Sequence, residues 1–225
     1  MRPGLSNRCN SRDEGLIKIK GQGVRRKDKD MNGNSTKNIL IVGVGGQGVI
    51  LASEILSEVA RVNGLDAKKS EVHGMSQRGG VVSSHVRFGE KVYSPLIPEG
   101  EADVVLSFEL AEALRWVYYL KGDGSLIVNR LKLIPPITTT GKYSYPEGVE
   151  EKLSGTVANT MIIDAISIAK ELGNPRLVNT ILLGVLSNLI EFEEESWLKV
   201  IEERAPKGTG ELNKKAFLEG RKIKK

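Results

Sequence analysis

The stretch NILIVGVGGQGVILASEILSEVA, residues 38–60, decides how the fold begins. Its first part, NILIVGV, is a mostly apolar run rich in β-branched residues, which is typical of a strand buried on both faces of a sheet. A glycine-rich turn follows, and the apolar residues after it recur at helical spacing. The stretch therefore predicts a strand, a tight turn and a helix, an arrangement that commonly holds a nucleotide phosphate.

Strand and helix signals alternate along the rest of the chain. Strands are predicted in LDAKKSEVHG (65–74), GGVVSSHVRFG (79–89), the start of EADVVLSFELAEALRWVYYL (101–120) and GSLIVNR (124–130), with KVYSPLI (91–97) as a short edge strand. Helices are predicted in the second half of 101–120, in ANTMIIDAISIAKELG (158–173) after a short strand, and in 174–190, 194–205 and 210–222. Asn174 is expected to cap the helix of 174–190, with Pro175 in its first turn. The pattern predicts an α/β fold of three layers, α/β/α, with a mostly parallel, mixed sheet, a Rossmann-like glycine loop after the first strand, and C-terminal helices.

Charge is distributed unevenly along the chain. Residues 1–37 carry ten Lys and Arg against four Asp and Glu, a net of +6. We expect them to form a disordered basic leader, with Met31 as an alternative start of the protein or the leader as a contact arm. Residues 38–225, predicted to be one α/β domain, carry a net charge of −1, which gives no electrostatic argument for nucleic-acid binding. No apolar run is long enough for a membrane helix, so a cytoplasmic protein is expected.

Cysteine and histidine are scarce. The single cysteine is Cys9, in the leader, and the two histidines are His73 and His85. An iron–sulfur cluster needs about four thiolates, so the chain is not expected to hold one alone. Two histidines are poor evidence for a zinc site, and no metal site is predicted.

The glycine loop fits the spacing G-x-G-x-x-G. Gly43, Gly45 and Gly48 occupy the three positions and Gly46 adds a fourth glycine. Such glycines permit a tight turn, close approach of a ligand to the backbone and close packing of the helix on the sheet. Two interpretations remain: the loop binds an anion at the helix N-terminus, or its glycines serve packing alone.

An NAD site would also need an acidic residue at the end of the second strand to hold the ribose. Asp66 opens that strand and Glu71 lies later, and neither fits well. The segment after the strand instead carries Ser76, Gln77 and Arg78 before two glycines. A guanidinium beside free backbone amides suits a phosphate or a carboxylate.

The tripeptide GDG at residues 122–124 resembles part of a thiamine diphosphate motif. That motif is completed by an asparagine about a helix further on, whereas Asn129 follows too closely. We therefore interpret GDG as a turn before a strand, and expect no thiamine site on this chain.

Three stretches carry a resemblance to a known family: IVGVGGQGVILASEIL (41–56), SEVHGMSQRGGVVSSHVRFG (70–89) and VYSPLIPEGEADVVLSFE (92–109). They resemble the gamma subunits or domains of 2-oxoacid:ferredoxin oxidoreductases, and most closely the beta subunits of indolepyruvate ferredoxin oxidoreductases. The likeness covers residues 38–222, the leader excluded.

The resemblance implies an oxidoreductase of amino-acid catabolism. An aryl 2-oxoacid, coenzyme A (CoA) and oxidised ferredoxin would give an acyl-CoA, carbon dioxide and reduced ferredoxin. Thiamine diphosphate, magnesium and 4Fe–4S clusters would sit only on a large alpha subunit, which would also contact ferredoxin. Only three glutamines occur, which favours a thermophilic source.

The resemblance also implies which residues contact CoA. The glycine loop would cradle a CoA phosphate and the second loop would add polar contacts, while the chain would supply no catalytic residue. The residues concerned are Gly43, Gly45, Gly46, Gln47, Gly48, Val49, Ser76, Gln77, Arg78 and Asn179. Two alternatives are an NAD-dependent reductase and a purely structural subunit of the same complex.

Overall fold

A computed structural model describes residues 36–73, 80–134 and 144–224 of the chain. The predicted leader lies almost wholly outside these residues, and so does the segment with Ser76, Gln77 and Arg78. Most of the proline-rich stretch after residue 134 also lies outside them. The predictions made for these segments therefore remain predictions.

Strands and helices alternate through the described residues. The strands are β1 (Lys37–Val44), β2 (Asp66–His73), β3 (Val81–Gly89), β4 (Ala102–Ser107), β5 (Leu120–Asn129) and β6 (Thr160–Ile163). The α-helices are α1 (Val49–Val62), α2 (Leu110–Trp116), α3 (Val149–Thr156), α4 (Ala165–Glu171), α5 (Val178–Ser187), α6 (Glu194–Arg204) and α7 (Gly210–Lys222). Short 3₁₀ helices, Val117–Tyr119 and Pro175–Leu177, precede β5 and α5.

The strands form one sheet in the order β2-β3-β1-β4-β5-β6. Strands β1, β4, β5 and β6 run parallel, while β3 is antiparallel to both β1 and β2. The link between β2 and β3 is shorter than the dozen or so residues that a parallel crossover needs, so the chain must turn back on itself. The predicted mostly parallel, mixed sheet is confirmed.

Helices cover both faces of the sheet. Ile39 and Ile41 of β1 pack into an apolar core with α1 and α4 to α7. Leu40 and Val42, which point to the other face, pack with α2 and α3. The three-layer architecture and the C-terminal helices are therefore as predicted.

The prediction of an edge strand at residues 91–97 is wrong. Val92 and Ile97 are buried, but side chains, rather than a neighbouring strand, accept hydrogen bonds from their backbone N–H groups. Val92 donates to Oδ2 of Asp66 at 2.9 Å, and Ile97 donates to Nδ1 of His85 at 3.2 Å. The prolines of this segment suit such a loop better than a ladder.

One further local prediction differs from the structure, and one helix has no counterpart among the predictions. The GDG tripeptide lies inside β5, where the pairing with β4 shifts register, and not in a turn before the strand. Helix α3 was not predicted, because it is short and buries only Val149 and Leu153, too few positions for a periodic signal. Within the described residues, no helix has the length and apolar character needed to cross a membrane.

Candidate functional site

The glycine loop, residues 45–48, lies at the carboxyl end of β1. After β1 the chain crosses to one side of the sheet, to β2 and β3, and then returns to place β4 on the other side. In open α/β sheets, ligands bind outside the carboxyl ends of the strands at such a reversal of strand order. The topology therefore puts the loop where a ligand site is expected.

The glycines of the loop serve different purposes. A Cβ atom on Gly43 would lie 2.6 Å from Oε1 of Gln47 and 2.9 Å from Cβ of Phe108, so packing alone requires glycine there. Gly48 has a φ of +87° and would bring a Cβ within 3.0 Å of Nδ2 of Asn179. Gly46 has a φ of +97° with no atom within 4 Å of its Cβ position, so its need for glycine is conformational.

The amides of the loop divide into bonded and free groups. Gly45 donates to the carbonyl of Gly80 at 2.9 Å, and Gln47 donates to that of Val44 at 3.2 Å. Among the described residues, the N–H groups of Gly46, Gly48, Val49 and Ile50 have no acceptor. Helix α1 also lacks a capping side chain and has no acidic residue in its first turn. Free amides at the positive end of a helix dipole favour a bound anion.

The side chain of Gln47 joins the ends of two strands. Its Oε1 accepts a hydrogen bond from the Val44 N–H at 2.6 Å, and its Nε2 donates to the Phe108 carbonyl at 3.2 Å. The amide thereby ties the loop to the ends of β1 and β4. Gln47 was predicted to contact the ligand, and in the structure its amide sets the shape of the loop.

Asn129, at the end of β5, is a polar residue of the site that the sequence did not identify. Its side chain is fully buried, and its Nδ2 donates to the Phe108 carbonyl at 3.2 Å. That bond fixes the amide orientation, because the reversed amide would set two oxygens against each other. Oδ1 has no hydrogen-bond partner in the described part of the chain. An unpaired buried acceptor is costly and calls for a donor.

A cleft of about 530 Å³ opens beside the loop. Its walls come from the glycine loop, the end of β5, α4, the start of α5 and the link between α6 and α7. Five carboxamide side chains line it: Gln47, Asn129, Asn174, Asn179 and Asn213. The described lining contains one charged residue, Arg176, and no carboxylate. This composition suits an anionic ligand that also carries hydrogen-bonding groups.

Arg176 sits in the 3₁₀ helix before α5. Asn174 caps this 3₁₀ helix by accepting a hydrogen bond from the Arg176 N–H at 3.0 Å, and Pro175 occupies its first turn. The sequence predicts both residues in these roles for the longer helix, which begins only at Val178. The Arg176 side chain is exposed and forms no ion pair with the described residues. No residue in the described part of the chain therefore competes with a ligand for its guanidinium.

The structure brings Asn179 together with the glycine loop. Its Oδ1 accepts a hydrogen bond from the Thr180 N–H at 2.9 Å, and its Nδ2 lies next to Gly48. Val49 is buried, with its side chain close to Gly43 and its N–H at the start of α1. The structure thus brings together the predicted residues of the glycine loop, from Gly43 to Val49, and Asn179. The other predicted residues, Ser76, Gln77 and Arg78, lie outside the described residues.

The geometry argues against a nicotinamide site. Strand β3 lies between β1 and β2, so the end of β2 is displaced from the loop by two strand spacings, about 10 Å. Asp66 lies at the opposite end of β2, where the hydrogen bond from the Val92 N–H lowers the pKa of its carboxyl group. The Glu71 carboxylate accepts a hydrogen bond from Nζ of Lys69 at 2.6 Å. Neither acid is placed to hold a ribose at the loop.

Metal ligands are not clustered in the part of the chain that the structure describes. No group of three or more His, Cys, Asp or Glu side chains there could hold a metal ion.

Comparisons with known proteins show the family and the fold of the chain. Residues 38–223 match the family profile "Pyruvate ferredoxin/flavodoxin oxidoreductase". The chain is 43% identical over 197 residues to the "Indolepyruvate oxidoreductase subunit IorB" of Thermococcus kodakarensis, covering 84% of this chain and 96% of that one. It is 41% identical over 189 residues to the protein of the same name from Pyrococcus horikoshii, covering 80% and 92%. Among solved structures, the gamma subunit of a keto/oxoacid ferredoxin oxidoreductase from Geobacter sulfurreducens superposes with a TM-score of 0.62 at 27% identity, covering 83% of this chain and 96% of that one.

Proposed function

The chain belongs to the pyruvate ferredoxin/flavodoxin oxidoreductase family, and we propose that it is the beta subunit of an indolepyruvate ferredoxin oxidoreductase. The enzyme would convert an aryl 2-oxoacid, CoA and oxidised ferredoxin into an acyl-CoA, carbon dioxide and reduced ferredoxin. The names of the relatives that are 43% and 41% identical support this assignment, because the matched regions span nearly their whole length.

The task of this chain is to bind and position CoA. The observation that carries this proposal is the set of free amides at Gly46, Gly48, Val49 and Ile50, at the uncapped end of α1 and beside a cleft with no described carboxylate. Such a group of N–H donors suits the diphosphate of CoA. CoA also carries amide, amino and hydroxyl groups, which match the carboxamide side chains along the cleft.

In this proposal the two subunits have different roles in the reaction. Thiamine diphosphate, magnesium and the iron–sulfur clusters belong to a large partner subunit, which also contacts ferredoxin in the cytoplasm. This chain supplies binding energy and orientation, so that the thiol of CoA reaches the acyl group on the partner. It contributes no nucleophile of its own.

A purely structural subunit is the second candidate function. Packing alone explains Gly43, and contact with Asn179 partly explains Gly48. It does not explain the conformation of Gly46, the free amides or the unpaired Asn129 acceptor.

CoA kinetics of the assembled enzyme separate the two functions. In Gly48→Val, a β-branched side chain would meet both the positive φ and the Asn179 side chain, which would distort the phosphate-binding turn. We expect the Michaelis constant for CoA to rise by about tenfold or more, with that for the 2-oxoacid nearly unchanged. Gly155→Ala, in α3, is the control, because its Cβ position is free of contacts within 4 Å. An unchanged CoA constant in Gly48→Val complexes of normal composition would favour the structural subunit.

A further inference from the structure

We infer that Arg176 binds the 3′-phosphate of CoA, and that this contact makes the subunit distinguish CoA from dephospho-CoA. The inference rests on the proposed CoA site, and it assigns one side chain to one chemical group of that ligand. Arg176 is the charged residue among the described lining of the cleft.

The cleft attracts anions at two separate points. One is the glycine loop, whose free amides at Gly46, Gly48, Val49 and Ile50 have no acceptor among the described residues. The other is the Arg176 guanidinium, on the 3₁₀ helix that leads into α5. Amide groups clustered on a backbone suit a diphosphate with its several oxygens, whereas a single guanidinium fork suits one terminal phosphate group.

The spacing of these two points fits CoA. Gly48 packs directly against Asn179, so the loop and the start of α5 are in contact. Arg176 precedes Asn179 by about one helical turn, a rise on the order of 5–6 Å. In CoA a single ribose ring separates the 5′-diphosphate from the 3′-phosphate. A diphosphate at the loop would therefore leave the 3′-phosphate within reach of the long Arg176 side chain.

The local structure around Arg176 favours its contact with a phosphate group. Pro175 and the Asn174 cap fix the backbone under it, with the Asn174 Oδ1 3.0 Å from the Arg176 nitrogen. No described residue forms an ion pair with the guanidinium, so a ligand would displace no partner among the described residues. The 3′-phosphate carries a charge of about −1.5 to −2 at neutral pH, which makes it the natural partner of a free guanidinium.

Equilibrium titration of CoA and of dephospho-CoA into the complex of this chain with its large subunit tests the assignment. In Arg176→Gln, we expect the dissociation constant for CoA to rise by about tenfold or more, and that for dephospho-CoA to change by about twofold or less. Arg176→Lys should recover part of the loss, because lysine keeps the charge without the fork. Lys152→Gln, which removes an exposed positive charge from α3 on the opposite face, should change neither constant.

Different outcomes would contradict the assignment of Arg176 to the 3′-phosphate and the proposed CoA site on which it rests. Equal losses for both ligands in Arg176→Gln, or no loss for either, would overturn the assignment to the 3′-phosphate while leaving CoA binding in place. Failure of the wild-type complex to bind either ligand would instead overturn the proposed CoA site. Thermal unfolding of Arg176→Gln should match the wild type because the side chain is exposed, so lost affinity cannot be attributed to misfolding.

Discussion

At Gln47, a side chain predicted to contact a ligand also shapes the backbone of the glycine loop. Both ends of its amide are engaged, by the Val44 N–H and by the Phe108 carbonyl. The Phe108 carbonyl also receives the amide of Asn129, so one oxygen holds side chains from the loop and from β5. The position of the free amides therefore depends on Gln47 even where its side chain contacts no ligand.

Replacing Gln47 by Glu tests this arrangement. The carboxylate keeps the bond from Val44 but faces the Phe108 carbonyl without a proton to donate, and it adds negative charge at the proposed phosphate site. We expect the free energy of unfolding to fall by about 1–2 kcal/mol at neutral pH and the dissociation constant for CoA to rise by about tenfold. Urea unfolding and CoA titration measure the two effects.

Gln47→Met is the matched comparison, because it removes both hydrogen bonds without adding charge. Its stability should fall as well, whereas CoA binding should weaken less than in Gln47→Glu. Equal weakening in both variants would show that charge at this position does not matter.

The glycine positions were predictable from the sequence, and other residues of the site were not. Gly43, Gly46 and Gly48 lie in one short motif between a strand and a helix, so local pattern identifies them. Asn129 ends β5 and Arg176 lies in the 3₁₀ helix before α5, so both are far from the loop in sequence and line the same cleft only in the folded chain. The one local sign of Asn129 is that a polar residue ends an apolar strand.

At the scale of elements, α5 and α7 pack unusually close and together support a wall of the cleft. A Cβ on Gly184 would lie 2.1 Å from the Phe217 carbonyl oxygen, and one on Gly220 would lie 2.0 Å from that of Ile181. Oγ1 of Thr180 contacts Oδ1 of Asn213 at 2.9 Å near the cleft. The two glycines therefore set the distance between the helices.

Gly220→Ala should destabilise the protein by about 1–3 kcal/mol, because the added methyl group meets backbone that can move only with the helix. Gly155→Ala is the internal control. It lies in α3 with nothing within 4 Å of its Cβ position, and should stabilise the protein by about 0.5–1 kcal/mol through helix propensity. Equal stability of Gly220→Ala and the wild type in denaturant unfolding would show that the helices can separate freely.

Helix α2 begins in a buried polar cluster. The Glu109 carboxylate caps it by accepting the Glu112 N–H at 2.9 Å, and also accepts the Tyr145 hydroxyl at 2.5 Å. Burial, together with the nearby Glu109, raises the pKa of Tyr145. Burial likewise raises the pKa of Glu112, although Arg115 and Trp116 oppose the shift.

The raised pKa of Glu112 gives stability a pH dependence. A carboxyl group whose pKa is higher in the folded state stabilises the fold below its ordinary pKa of 4.5, and that contribution is lost as the pH rises through the folded value. The unfolding free energy of the wild type should therefore fall relative to that of Glu112→Gln as the pH is raised. Unfolding curves between about pH 4 and pH 8 measure the difference. Glu203→Gln, at an exposed position of α6, is the control. If the difference in unfolding free energy between the wild type and Glu112→Gln does not change with pH, the raised pKa of Glu112 is contradicted.

Elements with strong periodicity were predicted well, and those defined by tertiary contacts were not. Helix α1 buries a regular set of apolar residues, and its sequence shows that spacing. Residues 91–97 have the composition of a strand, yet side chains of Asp66 and His85 replace the strand partner. Helix α3 has only two buried residues, so its sequence carries almost no periodic signal.

At the scale of the whole molecule, the order of the strands suits the ligand-binding role that we propose for this subunit. The strand order brings the carboxyl ends of β1, β4 and β5 side by side, and with them the glycine loop and Asn129. The inserted β3 separates the end of β2 from the glycine loop, beside which a nicotinamide site would need it. The three-layer fold was predictable from the alternation of elements, but the place of β3 was not, because short links do not specify which strands become neighbours.

The isolated chain should be colourless, bind no iron and show no oxidoreductase activity. A 4Fe–4S cluster needs about four thiolates, whereas the chain has one cysteine. Activity, visible absorbance and bound thiamine should appear together when a large, cysteine-rich subunit co-purifies with it. A tightly held flavin, nicotinamide or cluster on the purified chain alone would contradict the proposed division of labour.

A structure of the assembled complex with CoA bound is the most direct test of the central claim. We expect the diphosphate to accept hydrogen bonds from the amides of Gly48, Val49 and Ile50, with the rest of the ligand lying in the cleft. CoA held entirely by the partner subunit, with this cleft unused, would contradict the account.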